Sequence, residues 1–135
     1  MQYITGIHAL NLPCALLTCG DWHRSALRWE DITIRNSEQS VFGEYGIELD
    51  KPIPNHTGRW AVANHIRALL DLLETSKFSV AQGMNNDYIC NNGYTSEVFG
   101  KVALMRGLAH WPDIDCLMGR EYHTKWLDYK KQVNL

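Results

Sequence analysis

The sequence predicts an α+β fold, a small N-terminal sheet packed against about three longer helices in the C-terminal half. Three observations predict it. Apolar residues recur at helical period over 58–74, 95–108 and 112–132. The N-terminal half instead holds short apolar or alternating runs separated by glycine and proline. No repeat, low-complexity tract or linker divides the chain, so residues 1–135 read as one compact α+β domain.

The helix expected over 58–74 (GRWAVANHIRALLDLLE) is the clearest element. Val62, Ile66, Leu69, Leu70 and Leu73 fall at i, i+4, i+7, i+8 and i+11, one apolar stripe. Asn64, Arg67, Asp71 and Glu74 project away from that stripe, and Thr57 suits its N-cap. Ala61, His65, Ala68 and Leu72 form a second stripe with two small residues, which places this helix centrally between two neighbours. His65 is a candidate general base, because an unperturbed imidazole titrates near neutral pH.

The chain before it reads as follows. Residues 1–12 fit a short helix or an irregular strand, ended by Pro13. Residues 14–19 (CALLTC) are an apolar run before Gly20 and read as a buried strand, with the two thiols on opposite faces. Residues 31–36 (DITIRN) alternate and read as a half-exposed strand. Residues 37–49 are polar and glycine-containing, with a short extended piece, IELD, at their end. Residues 51–57 form a proline-containing connection.

After the central helix, residues 82–93 (QGMNNDYICNNG) carry four asparagines between Gly83 and Gly93. Asparagine bonds nearby backbone and tolerates left-handed conformation, so bends around a helical turn at 87–90 are expected. The functional reading of the same residues is a polar surface in which Asn85, Asn86 and Asp87 bind a ligand or partner. Over 95–108, Val98, Phe99, Val102 and Met105 supply a core face, with Thr95 or Ser96 as cap. Gly100 weakens that helix and points to close packing there. Trp111-Pro112 marks a break, and one helix then runs to about Gln132 with Ile114, Met118, Tyr122, Trp126, Tyr129 and Val133 as its stripe.

Composition limits the functional classes. The chain is 45% hydrophobic and 21% charged with net charge −2, and no lysine–arginine block appears. Nucleic-acid binding through a basic surface is therefore not indicated. No apolar run approaches a membrane span, and no secretory leader is visible, so a cytoplasmic location is expected. Cys14, Cys19 and His23 stand in a C-x4-C-x3-H pattern, but the strand reading separates the thiols, so buried reduced cysteines are expected and no metal. No phosphate loop, dinucleotide motif, nucleophile elbow or H-E-x-x-H sequence occurs, and no cofactor is expected.

Two local patterns suggest chemistry. Gly20-Asp21-Trp22-His23 places a carboxylate and an imidazole on a tight loop. It resembles the D-x-H motif of the calcineurin-like metallophosphoesterases, and Asn64-His65 is similar to their N-H motif. The metal-bridging G-D-x-x-D/N block is absent, so only the local chemistry is carried over. Arg59 and His65 form R-x5-H, a spacing that resembles the ribonuclease motif of HEPN helical bundles, which are all-helical.

Two functions follow as expectations. The first is a non-catalytic cytosolic interaction protein with a protein partner, of the antitoxin or immunity kind, because five Trp and six Tyr favour interface centres. The alternative is a small hydrolase or transferase with Asp21, His23 and His65 as catalytic residues and Trp22, Asn64 and Arg67 in binding roles. His65 and Arg67 stand two apart, about 200° around a helix, so they cannot both face one pocket unless the helix end bends.

Overall fold

A computed structural model describes residues 1–21 and 27–135. The class is the expected one, α+β, with a four-stranded mixed sheet in the N-terminal half and helices behind it. The strands are β1 (Gln2–Ile4), β2 (Ile34–Asn36), β3 (Ile47–Lys51) and β4 (Trp60–Ala63), in the spatial order β2-β1-β4-β3. β1 pairs antiparallel with β2 and parallel with β4, and β3 pairs antiparallel with β4. The helices are α1 (Gly6–Leu10), α2 (His65–Glu74), α3 (Phe78–Ala81), α4 (Thr95–Ala103), α5 (Trp111–Tyr122) and α6 (Thr124–Val133).

The helix expected over 58–74 is two elements. Trp60–Ala63 is the strand β4, and the helix starts only at His65. Asn64, not Thr57, is the N-cap: its side-chain oxygen accepts the Arg67 N–H at 2.8 Å. The extended backbone of Asn64 turns the chain from sheet into helix. Gly46 makes the junction possible. It has φ +72°, and a Cβ there would stand 2.7 Å from the Arg67 Cβ, while its carbonyl accepts the Asn64 N–H at 2.7 Å.

The polar residues Asn64, Arg67, Asp71 and Glu74, expected to project away from the apolar stripe, do not lie in solvent. Arg67 and Asp71 are buried, as is Asn64. The helix is central, packing against α1, α3, α4 and β4, and so has no solvent face over most of its length. Ile66, Ala68, Leu69, Leu70 and Leu73 are fully buried in one contiguous core with Tyr3, Ile4, Val98, Val102, Met118 and Trp126.

Residues 14–19 are not a strand. Leu17 has φ +57°, outside the extended region, and the backbone here bonds to side chains rather than to a ladder. The reduced state expected of the cysteines is corrected for two of them: Cys19 and Cys90 form a disulfide with Cα atoms 6.2 Å apart. Cys14 and Cys116 are free thiols.

The core face of α4 is the expected one, with Val98, Phe99, Val102 and Met105 buried. The helix ends at Ala103 rather than near 108, and neither Thr95 nor Ser96 caps it through its side chain. Gly100 does not mark close packing, since a Cβ there meets nothing within 4 Å. Gly100→Ala is therefore expected to stabilise the protein by about 0.5–1 kcal/mol, read as a rise in the urea midpoint at unchanged slope. The helix expected from 112 to 132 breaks at His123, where φ is +55°, into α5 and α6. Its stripe is buried through Trp126 and emerges at Val133. Trp126 stacks against Tyr129 and meets Phe99 edge-on, and its indole N–H donates to Asp115 at 2.7 Å.

Candidate functional site

Residues 11–21 form a loop between α1 and the undescribed residues, and it lies across the N-terminus of α2. It has no ladder of its own. Tyr94 donates to the Leu16 carbonyl at 3.0 Å, the Ala15 N–H donates to Glu48 at 2.8 Å, and Lys51 Nζ donates to the Pro13 carbonyl at 2.8 Å. The Gly20 N–H donates to the Tyr88 carbonyl at 2.8 Å, beside the Cys19–Cys90 bond. Gly20 has φ +68°, and a Cβ there would stand 2.7 Å from the His65 ring and 2.6 Å from the Leu10 carbonyl. Only glycine lets the loop lie this close to His65.

Beneath the loop, three side chains form a chain of polar contacts. The Cys14 Sγ stands 3.5 Å from Thr18 Oγ1, and Thr18 Oγ1 stands 2.6 Å from His65 Nδ1. The other ring nitrogen, Nε2, lies 2.6 Å from the Leu12 carbonyl. A carbonyl only accepts, so Nε2 carries a proton and Nδ1 is the nitrogen that exchanges one. In the neutral arrangement Cys14 S–H donates to Thr18, and Thr18 O–H donates to Nδ1. Moving a proton along both bonds leaves a thiolate at Cys14 and an imidazolium at His65.

Electrostatics shift the balance toward the second arrangement. Burial pushes the Cys14 thiol up. The neighbouring His65, through its imidazole and its backbone, and the Thr18 hydroxyl outweigh it and bring the thiol down to about 7. His65 is the first residue of α2, so the positive end of the helix adds to the effect. Burial lowers the His65 pKa, and the contacts with Cys14 and the Leu12 carbonyl, with the charges of Cys14 and Glu48, raise it overall.

The sequence-predicted residues fall into separate places. His65 is 1% exposed and belongs to the Cys14–Thr18 chain. Asp21 sits on the same loop, but its carboxylate accepts from Asn11 Nδ2 at 3.0 Å and its backbone N–H bonds to Leu10. Trp22 and His23 lie outside the described residues. Asn64 is the cap of α2.

Asn85, Asn86 and Asp87 lie in a π-helical turn, Met84–Ile89, between left-handed Gly83 and Cys90. The helical turn expected at 87–90 is thus longer and begins earlier. Asn85 is tied to Glu121 of α5 through its backbone N–H at 3.0 Å and its carboxamide at 3.2 Å. Asn86 and Asp87 are exposed. After burial, the charges of Asp21 and Asp87 raise the phenol of Tyr88.

Arg67 lies elsewhere, in a closed polar network. Asp71 accepts from Tyr3 at 2.7 Å, Thr5 at 2.6 Å, Arg35 at 2.8 Å and Arg67 Nε at 3.0 Å. Arg67 also donates to the carbonyls of Gly43 at 2.7 Å and Tyr45 at 2.5 Å. Burial first, and then the bond to Asp71, keep the Tyr3 phenol protonated as a donor. Glu74 accepts from Arg35, Ser40 and the Val41 N–H. These contacts overcome its burial and hold it below the usual carboxylate range. His65 and Arg67 do not share a pocket, and Arg59 stands exposed before β4 rather than on the helix of His65.

A cavity of about 320 Å³ opens beside this network, lined by Ile7, Ile34, Leu72, Val80, Arg35 and Lys77 among others. None of the described sequence-predicted residues lines it. Cys14 and Thr18 were missed as partners of His65 because nothing in their spacing marks them; they meet the imidazole only through the fold of the loop. Comparison with protein families, curated proteins and solved structures returns no match.

Proposed function

We propose that the protein is a non-catalytic interaction protein that neutralises or regulates a partner protein, as antitoxins and immunity proteins do, and that the 11–21 loop carries the contact. One observation supports this above the rest. Leu17 is 90% exposed in left-handed backbone, on a loop held from several sides. A strained residue persists only where its surroundings hold it. An apolar side chain presented on a pre-ordered loop loses little further entropy when it docks.

The test compares wild type with Leu17→Asp in a pull-down from native lysate. Aspartate tolerates the left-handed backbone, so the fold is retained. One stoichiometric partner held by wild type and bound about 10- to 100-fold more weakly by the variant is expected. Equal capture of that partner by both removes the loop from the contact.

The hydrolase or transferase alternative retains His65 as its base. The observation in its favour is the Cys14–Thr18–His65 chain, which supplies a nucleophile as well. Protein that comes down alone moves this reading to first place, with substrate screening of His23→Ala and His65→Ala variants next.

No helix among the described residues is long and apolar enough to cross a membrane. The cytoplasmic placement and the Cys19–Cys90 bond pull in opposite directions, because cytosolic thiols are kept reduced. The disulfide is the stronger physical argument, and it favours an oxidising compartment.

A further inference from the structure

Cys14 differs in its surroundings from the other free thiol. Cys116 is exposed on α5, whereas Cys14 is 8% exposed beneath a loop whose residues Pro13, Ala15, Leu17 and Cys19 are all exposed. Thr18 bridges the thiol to His65, the first residue of a ten-residue helix. A structural cysteine in an apolar core has none of these partners. The hydroxyl, the imidazole and the helix start each favour sulfur as an anion.

We propose that Cys14 is a covalent modification site, at which a small disulfide of the oxidised glutathione type captures the thiol. In the step, the Cys14 proton passes through Thr18 to His65 Nδ1, and the thiolate attacks one sulfur of the disulfide. A new S–S bond forms to Cys14, the reagent's S–S bond breaks, and one glutathione thiolate leaves. Two electrons pass from the Cys14 sulfur to that leaving thiolate, so no further oxidant enters. The groups that set the charge at this position are His65 from α2, Thr18 on the loop itself, and Glu48 of β3 with its partner Lys51 at 2.7 Å. The modification is independent of whether the loop docks a partner.

The test is the rate of mixed-disulfide formation at Cys14 in the native, oxidised protein, with oxidised glutathione as the probe. Acid-quenched peptides are mapped by mass spectrometry between about pH 6 and pH 9. Wild type is expected to react with a half-maximal rate near pH 7. Thr18→Val removes the bridging hydroxyl at nearly constant shape, and its midpoint is expected to move toward the ordinary thiol value of about 8.5. At pH 7 the net rate falls only about 3-fold, because the more basic thiolate is the better nucleophile. The midpoint is therefore the sharper readout. Thr18→Ser restores the hydroxyl and the wild-type profile.

An adduct confined to Cys116 overturns the proposal. So does an unmoved midpoint in a folded Thr18→Val variant. If that variant does not fold, the wild-type midpoint decides, and a value at or above about 8.5 overturns it.

Discussion

Asp71→Ala is expected to lower the free energy of unfolding by about 3–5 kcal/mol, a large share of what a domain of this size ordinarily has. Asp71 is 2% exposed and Arg67 is fully buried, so water cannot replace the lost partner of the guanidinium. The substitution removes the acceptor of four bonds at once, from Tyr3, Thr5, Arg35 and Arg67. It also leaves two cations near each other with one carboxylate, Glu74, on Arg35 alone. The network joins β1, β2 and α2, so its loss loosens the sheet from its central helix. Urea unfolding followed by helix circular dichroism measures the effect, and a loss below about 1 kcal/mol contradicts the role given to the network.

Cys19→Ser carries the second large effect. The bond joins residues 71 apart, and the chain-entropy account of such a loop gives about 4 kcal/mol. Gly20, Leu16 and Pro13 keep their other tethers, so the loop remains in place in the folded variant. The loss appears chiefly as a lower unfolding midpoint. Wild-type protein unfolded with a reductant present should match the variant measured without it. Equal midpoints for wild type and variant in the absence of reductant contradict the prediction.

What was legible in the sequence follows from how far each signal reaches along the chain. Val98, Phe99, Val102 and Met105 define one face at helical period, and all four are buried. The break at His123, in left-handed backbone, carries no glycine or proline, so no local pattern marks it. Val62 and Ile66 stand four apart, a spacing that fits one helix but that a strand followed by a helix also permits, as over Trp60–Ala63 and His65–Glu74.

Arg67 and Asp71 form an i, i+4 ion pair in the folded helix, but charged residues are mostly exposed, so their burial was not legible. The candidate site was less legible still. Cys14, Thr18 and His65 meet across 47 residues of chain between the last two. Cys19 and Cys90 meet across 71. Such meetings depend on the whole topology.

The outer strands of the sheet decide how a second molecule can approach. β2 is three residues long, which is too short to seed an added strand. β3 has a register irregularity between Glu48 and Lys51 and a left-handed Asp50, so its free edge bends away from a straight template. The side chains of Glu48 and Lys51 hold the 11–21 loop against that edge. The sheet is thereby protected from polymerising edge to edge, and a partner meets side chains rather than an open row of backbone donors and acceptors.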